Sequence, residues 1–256
     1  MKNNIVRSGA GLLILVTVIL LSSGLINTHP KLPVKAAGKG FAVIELFTSE
    51  GCSSCPAADA EVEKVAASNP GNVYVLGFHV DYWNRLGWTD EFSNPAYSTR
   101  QREYADHFKL DGVYTPQVIV NGGEQMVGSD DSRLQQSVAS GIQNKTNRPI
   151  QLSASATAGN TVLLTYQVEA PPSNTVTNIA LVQVAAQTQV KRGENEGRTL
   201  RHINIVRDFK TVGNGQNGSV SFNLPKGIAA KECNVLVYVQ HRQTREIIAV
   251  TAVSVK

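Results

Sequence analysis

The spacing of hydrophobic and polar positions predicts the first elements of the chain. Residues 41–47 (FAVIELF) are apolar apart from Glu45, which is typical of a strand buried on both faces. From Ala58 to Ala66 the apolar positions recur at helical spacing. Residues 73–80 (VYVLGFHV) predict a second buried strand. A strand, a helix and a strand of these lengths predict two parallel strands joined by a right-handed crossover.

Three further elements are predicted before residue 146. Residues 94–108 are free of glycine, and their only proline lies at the start, so a helix is expected there. Residues 117–120 and 124–127 flank an Asn-Gly-Gly turn, which predicts an antiparallel hairpin. Residues 130–144 place apolar side chains on one helical face.

The pattern changes near Pro149. Helical periodicity ends, and short alternating runs such as VLLTYQV and SVSFNL follow, separated by turn residues. Such a series of short strands is typical of a β-sandwich. The sequence therefore predicts a second, all-β sandwich-like domain over residues 150–256.

The first 36 residues predict an exported protein. Lys2 and Arg7 precede an uncharged stretch whose densest part is LLILVTVILL, the pattern of a secretory leader. Its apolar core is shorter than the roughly 20 residues of a membrane span. Small residues allow cleavage after Ala36, and an uncleaved anchor is the alternative. We expect a periplasmic or secreted protein that contacts a membrane only through an uncleaved leader.

The charge balance argues against a nucleic-acid partner. The whole chain has 24 basic and 20 acidic residues. Four of the basic residues, Lys2, Arg7, Lys31 and Lys35, lie in the predicted leader, which has no acidic residue. The remaining chain is therefore neutral, and nucleic-acid binding needs clustered Lys and Arg to neutralise phosphates.

The stretch FTSEGCSSCPAAD contains the strongest candidate for chemistry. Cys52 and Cys55 precede a predicted helix, whose first turn has free N–H groups and the positive end of the helix dipole. The dipole supplies only about 0.3–1 kcal/mol, so a stabilised thiolate also needs N–H bonds to sulfur. We expect Cys52 to be exposed and Cys55 to be more covered, as in an attacking thiol and a resolving thiol.

Two other interpretations of the cysteine pair stay open. The pair can be an inert structural disulfide, although so short a loop gains little stability from closure. It can also bind copper or zinc together with His79, which lies on the second predicted strand.

Sheet topology predicts which residues surround the cysteines. Parallel strands end at one edge of a sheet, so the loop containing Trp83 and Trp88 emerges beside the cysteine loop. We expect Trp83, Trp88 and Thr115 to bind the substrate, and core packing is the alternative for the two tryptophans. The next strand is predicted to be antiparallel and starts at that edge, directly after Thr115 and Pro116. A proline there accommodates a cis peptide bond and leaves the preceding backbone free to pair with an extended partner.

At these residues the sequence resembles the thioredoxin superfamily. The motif CSSC opens a helix, and Thr115-Pro116 resembles that superfamily's cis-proline. The stretches FTSEGCSSCPAAD, FHVDYWNRLGWTD, GVYTPQ and GENEGRTLRHINIVR resemble the secreted bacterial family catalogued as domain of unknown function 1223. The resemblance implies an α/β thioredoxin-like domain over residues 38–146 and a redox site, without a substrate. Glu45 lies close to the position of that superfamily's proton-transferring carboxylate, and a salt-bridged Glu45 is the alternative.

These observations predict a thiol-disulfide oxidoreductase that needs no cofactor. Its partner is a protein with thiols or disulfides, or a small thiol. Cys52 attacks a substrate disulfide, or an oxidised Cys52 is attacked by a substrate thiol, and Cys55 then resolves the mixed disulfide or leaves. Pro116 positions the backbone of the partner, and Glu45 relays a proton. A metallochaperone and a non-catalytic binding module are the alternatives. The polar segment 193–198 (GENEGR) is expected to contact the cysteine half.

Overall fold

The structure, a computed structural model, describes Met1 and residues 40–144, 147–157 and 160–256. The predicted leader, residues 1–36, lies outside this part of the chain except for Met1. The described residues from 40 onward belong to one compact unit, Leu32–Lys256. Among the residues that the structure describes, no helix is long and apolar enough to cross a membrane.

The described residues form eleven strands and three α-helices. The N-terminal half contains β1 (Ala42–Thr48), α1 (Cys55–Ser68), β2 (Val73–His79), α2 (Pro95–Phe108), β3 (Gln117–Val120), β4 (Glu124–Val127) and α3 (Asp131–Asn144). The C-terminal half contains β5 (Ile150–Thr157), β6 (Thr161–Val168), β7 (Thr175–Gln189), β8 (Thr199–Val212), β9 (Asn217–Asn223), β10 (Cys233–His241) and β11 (Ile247–Ser254). The parallel pairing of β1 with β2 and the β3–β4 hairpin confirm the local predictions.

The predicted fold class is wrong. We expected an α/β thioredoxin-like domain followed by a separate β-sandwich, but one mixed sheet of eight strands runs through both halves in the order β11-β10-β7-β8-β2-β1-β3-β4. Most of the regular structure is strand, with only three α-helices in the described chain. A three-stranded sheet, β5-β6-β9, accompanies it. The boundaries 38–146 and 150–256 stay a prediction.

The two halves join where β8 lies parallel to β2. The register pairs Gly77 with Ile205. A Cβ at Gly77 would lie 3.4 Å from the carbonyl oxygens of Ile203 and Asn204, so the missing side chain allows the close approach. Alternating patterns show that a strand has two faces, but they do not show which distant strand it pairs with. This is why the sequence did not predict the continuous sheet.

Three groups of apolar side chains hold the layers together. On one sheet face, α2 packs through Tyr97 and Tyr104 against β1, β2 and the C-terminal strands. On the other face, α1 and α3 cover β1 and β3. The three-stranded sheet packs against β7, β10 and β11. All seven residues of β1 are buried, as the apolar run predicts.

Glu45 is neutralised inside this core. Arg100 on α2 donates two hydrogen bonds to its carboxylate, at 2.6 and 2.9 Å, and Tyr104 donates one at 2.7 Å. Arg100 also donates to the hydroxyl of Tyr238 on β10 at 2.8 Å. Burial alone would lower the pKa of Arg100, but the adjacent Glu45 carboxylate raises that pKa well above its usual value. The network therefore joins β1, α2 and β10 across the two halves.

Candidate functional site

Cys52 and Cys55 form a disulfide at the start of α1. Their Cα atoms lie 5.4 Å apart, and Cys55 is the first residue of the helix. Pro56 follows within the first turn, where its missing N–H costs no helical hydrogen bond. The N–H of Cys55 donates to the carbonyl of Cys52 at 3.2 Å, and the N–H of Cys52 donates to that of Ser49 at 3.1 Å. Residues 49–54, the cysteine loop, therefore present the disulfide at a helix N-terminus.

The expected exposure of Cys52 is wrong. Cys52 is 1% exposed and Cys55 is fully buried. Residues 193–198, the hairpin tip, lie in the connection from β7 to β8 and contact the backbone of the cysteine loop. Asn195 in this tip is itself fully buried. A segment remote in the sequence therefore packs against the loop that contains the buried disulfide.

The hairpin tip binds the backbone of the cysteine loop directly. The Asn195 side-chain amide donates to the carbonyls of Glu50, at 2.8 Å, and Cys52, at 2.9 Å. The Glu194 carboxylate accepts a hydrogen bond of 3.1 Å from the backbone N–H of Ser53, and the side chain of Ser53 together with this N–H lowers the pKa of Glu194. These bonds confirm the expected contact between residues 193–198 and the cysteine half.

The predicted cis-proline and Trp83 lie beside the cysteine loop. The Thr115–Pro116 peptide bond is cis, as expected. The Trp83 indole donates a hydrogen bond of 2.8 Å to the Thr115 hydroxyl. A Cβ at Gly51 would lie 3.2 Å from the Cβ of Trp83. Trp83 therefore connects the cysteine loop to the turn that contains Pro116.

Trp88 lies between the cysteine loop and the hairpin tip. Its indole N–H donates to the Glu50 carboxylate at 2.8 Å. A Cβ at Gly193 would lie 3.3 Å from the Cβ of Trp88. Both tryptophans predicted from the 78–90 stretch thus contact the residues around the disulfide.

A buried carboxylate–histidine cluster, formed by Glu50, Asp59 and His202, underlies the site. His202 on β8 is 3% exposed, with Nε2 3.5 Å from a Glu50 oxygen and Nδ1 3.5 Å from an Asp59 oxygen. At these distances the attraction is mainly electrostatic, because neither nitrogen makes a hydrogen bond of ordinary geometry. Burial alone would lower the pKa of His202, but the two carboxylates outweigh it and raise that pKa to about 9.

His79 is paired with Asp90 and not with the cysteines. Its Nδ1 lies 2.7 Å from an Asp90 oxygen, and the same oxygen accepts the N–H of Glu50 at 2.9 Å. Burial alone would raise the pKa of Asp90, but His79 and the hydrogen bonds from the backbone lower it. The described residues contain no group of three or more His, Cys, Asp or Glu side chains arranged for a metal ion. The ligand set of Cys52, Cys55 and His79 therefore gains no support.

Among the remaining predicted site residues, Glu45 lies apart from this cluster. Its carboxylate contacts Arg100, Tyr104 and Tyr238, as described above. Its role as a proton relay stays a prediction, and no contact of Glu45 with the cysteine loop supports it among the described residues.

Sequence reasoning missed the carboxylate–histidine cluster, although each member lies in a motif already quoted. Glu50 comes two residues before Cys52. Asp59 comes four residues after Cys55, a spacing that places both on one helical face. His202 lies in GENEGRTLRHINIVR. Of these three residues, only Asp59 could have been found from the sequence, because its helical spacing places it on the same face as Cys55.

The fold and the site define a class: a β-rich protein with a Cys-X-X-Cys disulfide at a helix start, beside a cis-proline turn and under a β-hairpin. The chain belongs to the family described as "Protein of unknown function (DUF1223)", whose model matches residues 43–240. This confirms the family resemblance found in the sequence. A search of curated proteins finds no match.

Two solved structures are similar to this one. A crystal structure of a protein from Agrobacterium tumefaciens has a TM-score of 0.61 and 29% sequence identity, covering 86% of this chain and 95% of that chain. HBP35 of Porphyromonas gingivalis has a TM-score of 0.53 and 17% identity, covering 86% of this chain and 77% of that chain. At 17% identity the second likeness shows a shared fold alone.

Proposed function

We propose that this protein is an exported thiol-disulfide oxidoreductase whose redox centre is the Cys52–Cys55 disulfide. One observation carries the proposal: the disulfide lies at the N-terminus of α1, and Trp83 connects its loop to the cis Thr115–Pro116 turn. The same pair of features supports a relationship to the thioredoxin superfamily at the level of the site. Export is supported by the leader pattern of residues 1–36.

The proposed reaction is a two-step exchange. A substrate thiolate attacks the Cys52 sulfur, a mixed disulfide forms, and the Cys52–Cys55 bond breaks to release the Cys55 thiolate, which takes up a proton. A second substrate thiolate then attacks the substrate sulfur of the mixed disulfide and releases Cys52. The substrate loses two electrons and becomes a disulfide, and the protein gains both as two thiols. The reverse sequence reduces a substrate disulfide.

The site supplies the groups that this exchange needs. The N-terminus of α1 presents the positive end of its dipole to the developing thiolate. The positive charge of His202 offsets the negative charges of Glu50 and Asp59. The two carboxylates therefore destabilise a nearby thiolate less than they would without His202. The partner is a protein with thiols or disulfides, or a small thiol, and the exchange uses no cofactor.

The test is trapping in the exported fraction. The full chain with Cys55→Ala is expected to accumulate mixed disulfides through Cys52, because no resolving thiol remains to release the partner. Cys52→Ser should abolish them. Cys233→Ala is the matched control, because it removes the buried free thiol and leaves the redox pair intact.

A measurement of the reduction potential of the cysteine pair completes the test. The Cys52–Cys55 pair of the full chain should titrate between oxidised and reduced forms across graded glutathione buffers, as read by thiol labelling. A pair that stays oxidised in excess dithiothreitol, together with no trapped partner in Cys55→Ala, would mean an inert disulfide in a non-catalytic binding module.

A further inference from the structure

The covered disulfide raises the question of how a substrate reaches it. Thiol exchange requires the attacking sulfur to approach one of the disulfide sulfurs, so its rate depends on access. Cys52 is 1% exposed and Cys55 is fully buried. In this arrangement a substrate reaches the disulfide only after something moves, and the hairpin tip (193–198) is the segment bonded across the cysteine loop.

The hairpin tip is held together by hydrogen bonds among its own residues and to Val190. The Asn195 side-chain oxygen accepts a hydrogen bond of 2.7 Å from Arg198. The backbone N–H of Gly197 donates to the carbonyl of Val190, and the N–H of Val190 donates to the carbonyl of Arg198, both at 2.9 Å. Because these internal bonds hold the tip in one conformation, we expect it to move away from the cysteine loop as one rigid segment.

The ribbon behind the tip is held by side-chain packing at Leu200 and His202 and by little strand pairing to the rest of the sheet. Within the described sheet, β7 pairs with β10 only as far as Gln183, and the register of β8 with β2 is limited to Ile205. Beyond these positions residues 185–189 and 199–203 pair only with each other. A two-stranded ribbon by itself is marginally stable. The position of the tip therefore depends on the contacts that hold it: Asn195, Glu194 and the carboxylate–histidine cluster.

The groups under the tip show which partner can replace it. Asn195 covers two backbone carbonyls, those of Glu50 and Cys52, and Glu194 covers the N–H of Ser53. When the tip leaves, the Glu50 carbonyl and the Ser53 N–H lose these partners, while the Cys52 carbonyl keeps the N–H of Cys55 and loses that of Asn195. A polypeptide supplies amide donors and carbonyl acceptors for them, whereas a small thiol without amides supplies none.

We propose that the hairpin tip determines the specificity of the redox centre, with Asn195 as the residue that holds it closed: the tip shields the disulfide from small thiols and yields to polypeptide thiols that replace its hydrogen bonds. This inference rests on the proposed function for the identity of the reaction. The shielding itself is a property of the disulfide and is measurable without turnover.

The experiment measures stoichiometric reduction of the oxidised full chain, followed by thiol labelling. Dithiothreitol is the small reductant without amides, and reduced, unfolded ribonuclease A is the polypeptide reductant. Asn195→Ala should speed reduction by dithiothreitol about 10-fold, the factor expected from the loss of two hydrogen bonds. Reduction by the polypeptide should speed up by a similar factor, because the tip opens for either reductant. In the wild type, however, the polypeptide should react about 10-fold faster per thiolate than dithiothreitol, because its amides replace the two hydrogen bonds that opening breaks.

Two further variants make the test decisive. Arg192→Ala changes an exposed residue of the same connection and should react like the wild type. Glu194→Ala removes one exposed contact and should speed dithiothreitol reduction by a smaller factor, and it serves if Asn195→Ala does not fold. Wild-type rates with dithiothreitol in both Asn195→Ala and Glu194→Ala would overturn the proposal, as would a wild-type protein that reacts no faster per thiolate with the polypeptide than with dithiothreitol.

The outcomes separate this inference from the proposed function. Trapped partners in Cys55→Ala together with unchanged dithiothreitol rates in the tip variants would show an oxidoreductase without a gate. Accelerated dithiothreitol reduction with no trapped partner would show a shielded disulfide whose proposed enzymatic role is wrong.

Discussion

His202 couples the stability of the fold to pH. Its ring lies 3.5 Å from both Glu50 and Asp59 and is almost completely buried. The two carboxylates overcome the effect of burial and raise the pKa of His202 from 6.5 to about 9. In the unfolded chain these contacts are lost and the pKa returns to its ordinary value. The folded protein therefore binds this proton more tightly than the unfolded chain.

The sign and the size of the effect follow from linkage. Because the folded pKa is raised, the stabilisation is fully present below pH 6.5 and is lost as the pH rises through 9. One pKa unit corresponds to about 1.4 kcal/mol, so the loss amounts to about 3 kcal/mol of unfolding free energy. An effect of this size is a large fraction of the stability of an ordinary domain.

The assay is urea unfolding of the oxidised full chain at pH values from 6 to 10. His202→Gln should be about 3 kcal/mol less stable than the wild type at pH 6, and the difference should shrink toward zero at pH 10. His241→Gln, which changes a half-buried histidine at the end of β10, should retain the wild-type pH dependence. Other groups that titrate in this range, such as the buried Cys233, are present in all three proteins and cancel in the differences.

A constant difference between wild type and His202→Gln from pH 6 to pH 10 would refute the reasoning. It would mean that His202 carries the same charge in the folded and unfolded states throughout, and that the two carboxylates do not hold its proton.

Two other substitutions test the junctions between the two halves. Gly122→Ala should destabilise the protein by about 3 kcal/mol or more, because Gly122 has φ 68° and a Cβ there would lie 1.8 Å from the carbonyl oxygen of Arg245. At Gly123 an added Cβ would meet open space, so Gly123→Ala should change the unfolding free energy by less than about 1 kcal/mol. Arg100→Met should cost about 3–5 kcal/mol because it leaves a buried carboxylate without its partner, whereas Arg133→Met breaks an exposed pair and should cost less than about 1 kcal/mol. Urea unfolding measures all four, and equal losses within either pair would contradict the structure.

Local patterns predicted the parts of the site that depend on neighbouring residues. The apolar run before Cys52 and the helical spacing after Cys55 predicted the strand and the helix that present the disulfide. Pro116, placed directly before a strand, predicted the cis peptide bond. These features are determined by backbone preferences and by short-range alternation of side chains, which a single sequence displays directly.

Contacts between distant residues could not be predicted in the same way. The salt-bridge partner of Glu45 is Arg100, 55 positions away. Asn195, 143 positions after Cys52, donates to the carbonyl of Cys52, whose side chain was expected to be exposed and is buried. Neither pairing leaves a periodic trace in the sequence, because each depends on how whole strands and helices pack.

The sequence by itself determined the helix that begins at the cysteines, the cis-proline turn and the family to which the chain belongs. Only the tertiary structure decided that β8 joins β2 in one continuous sheet, which carries the hairpin tip over the disulfide and His202 between two carboxylates. The physical reason is that local conformation depends on adjacent residues, whereas strand pairing and burial depend on surfaces that exist only after the chain has folded.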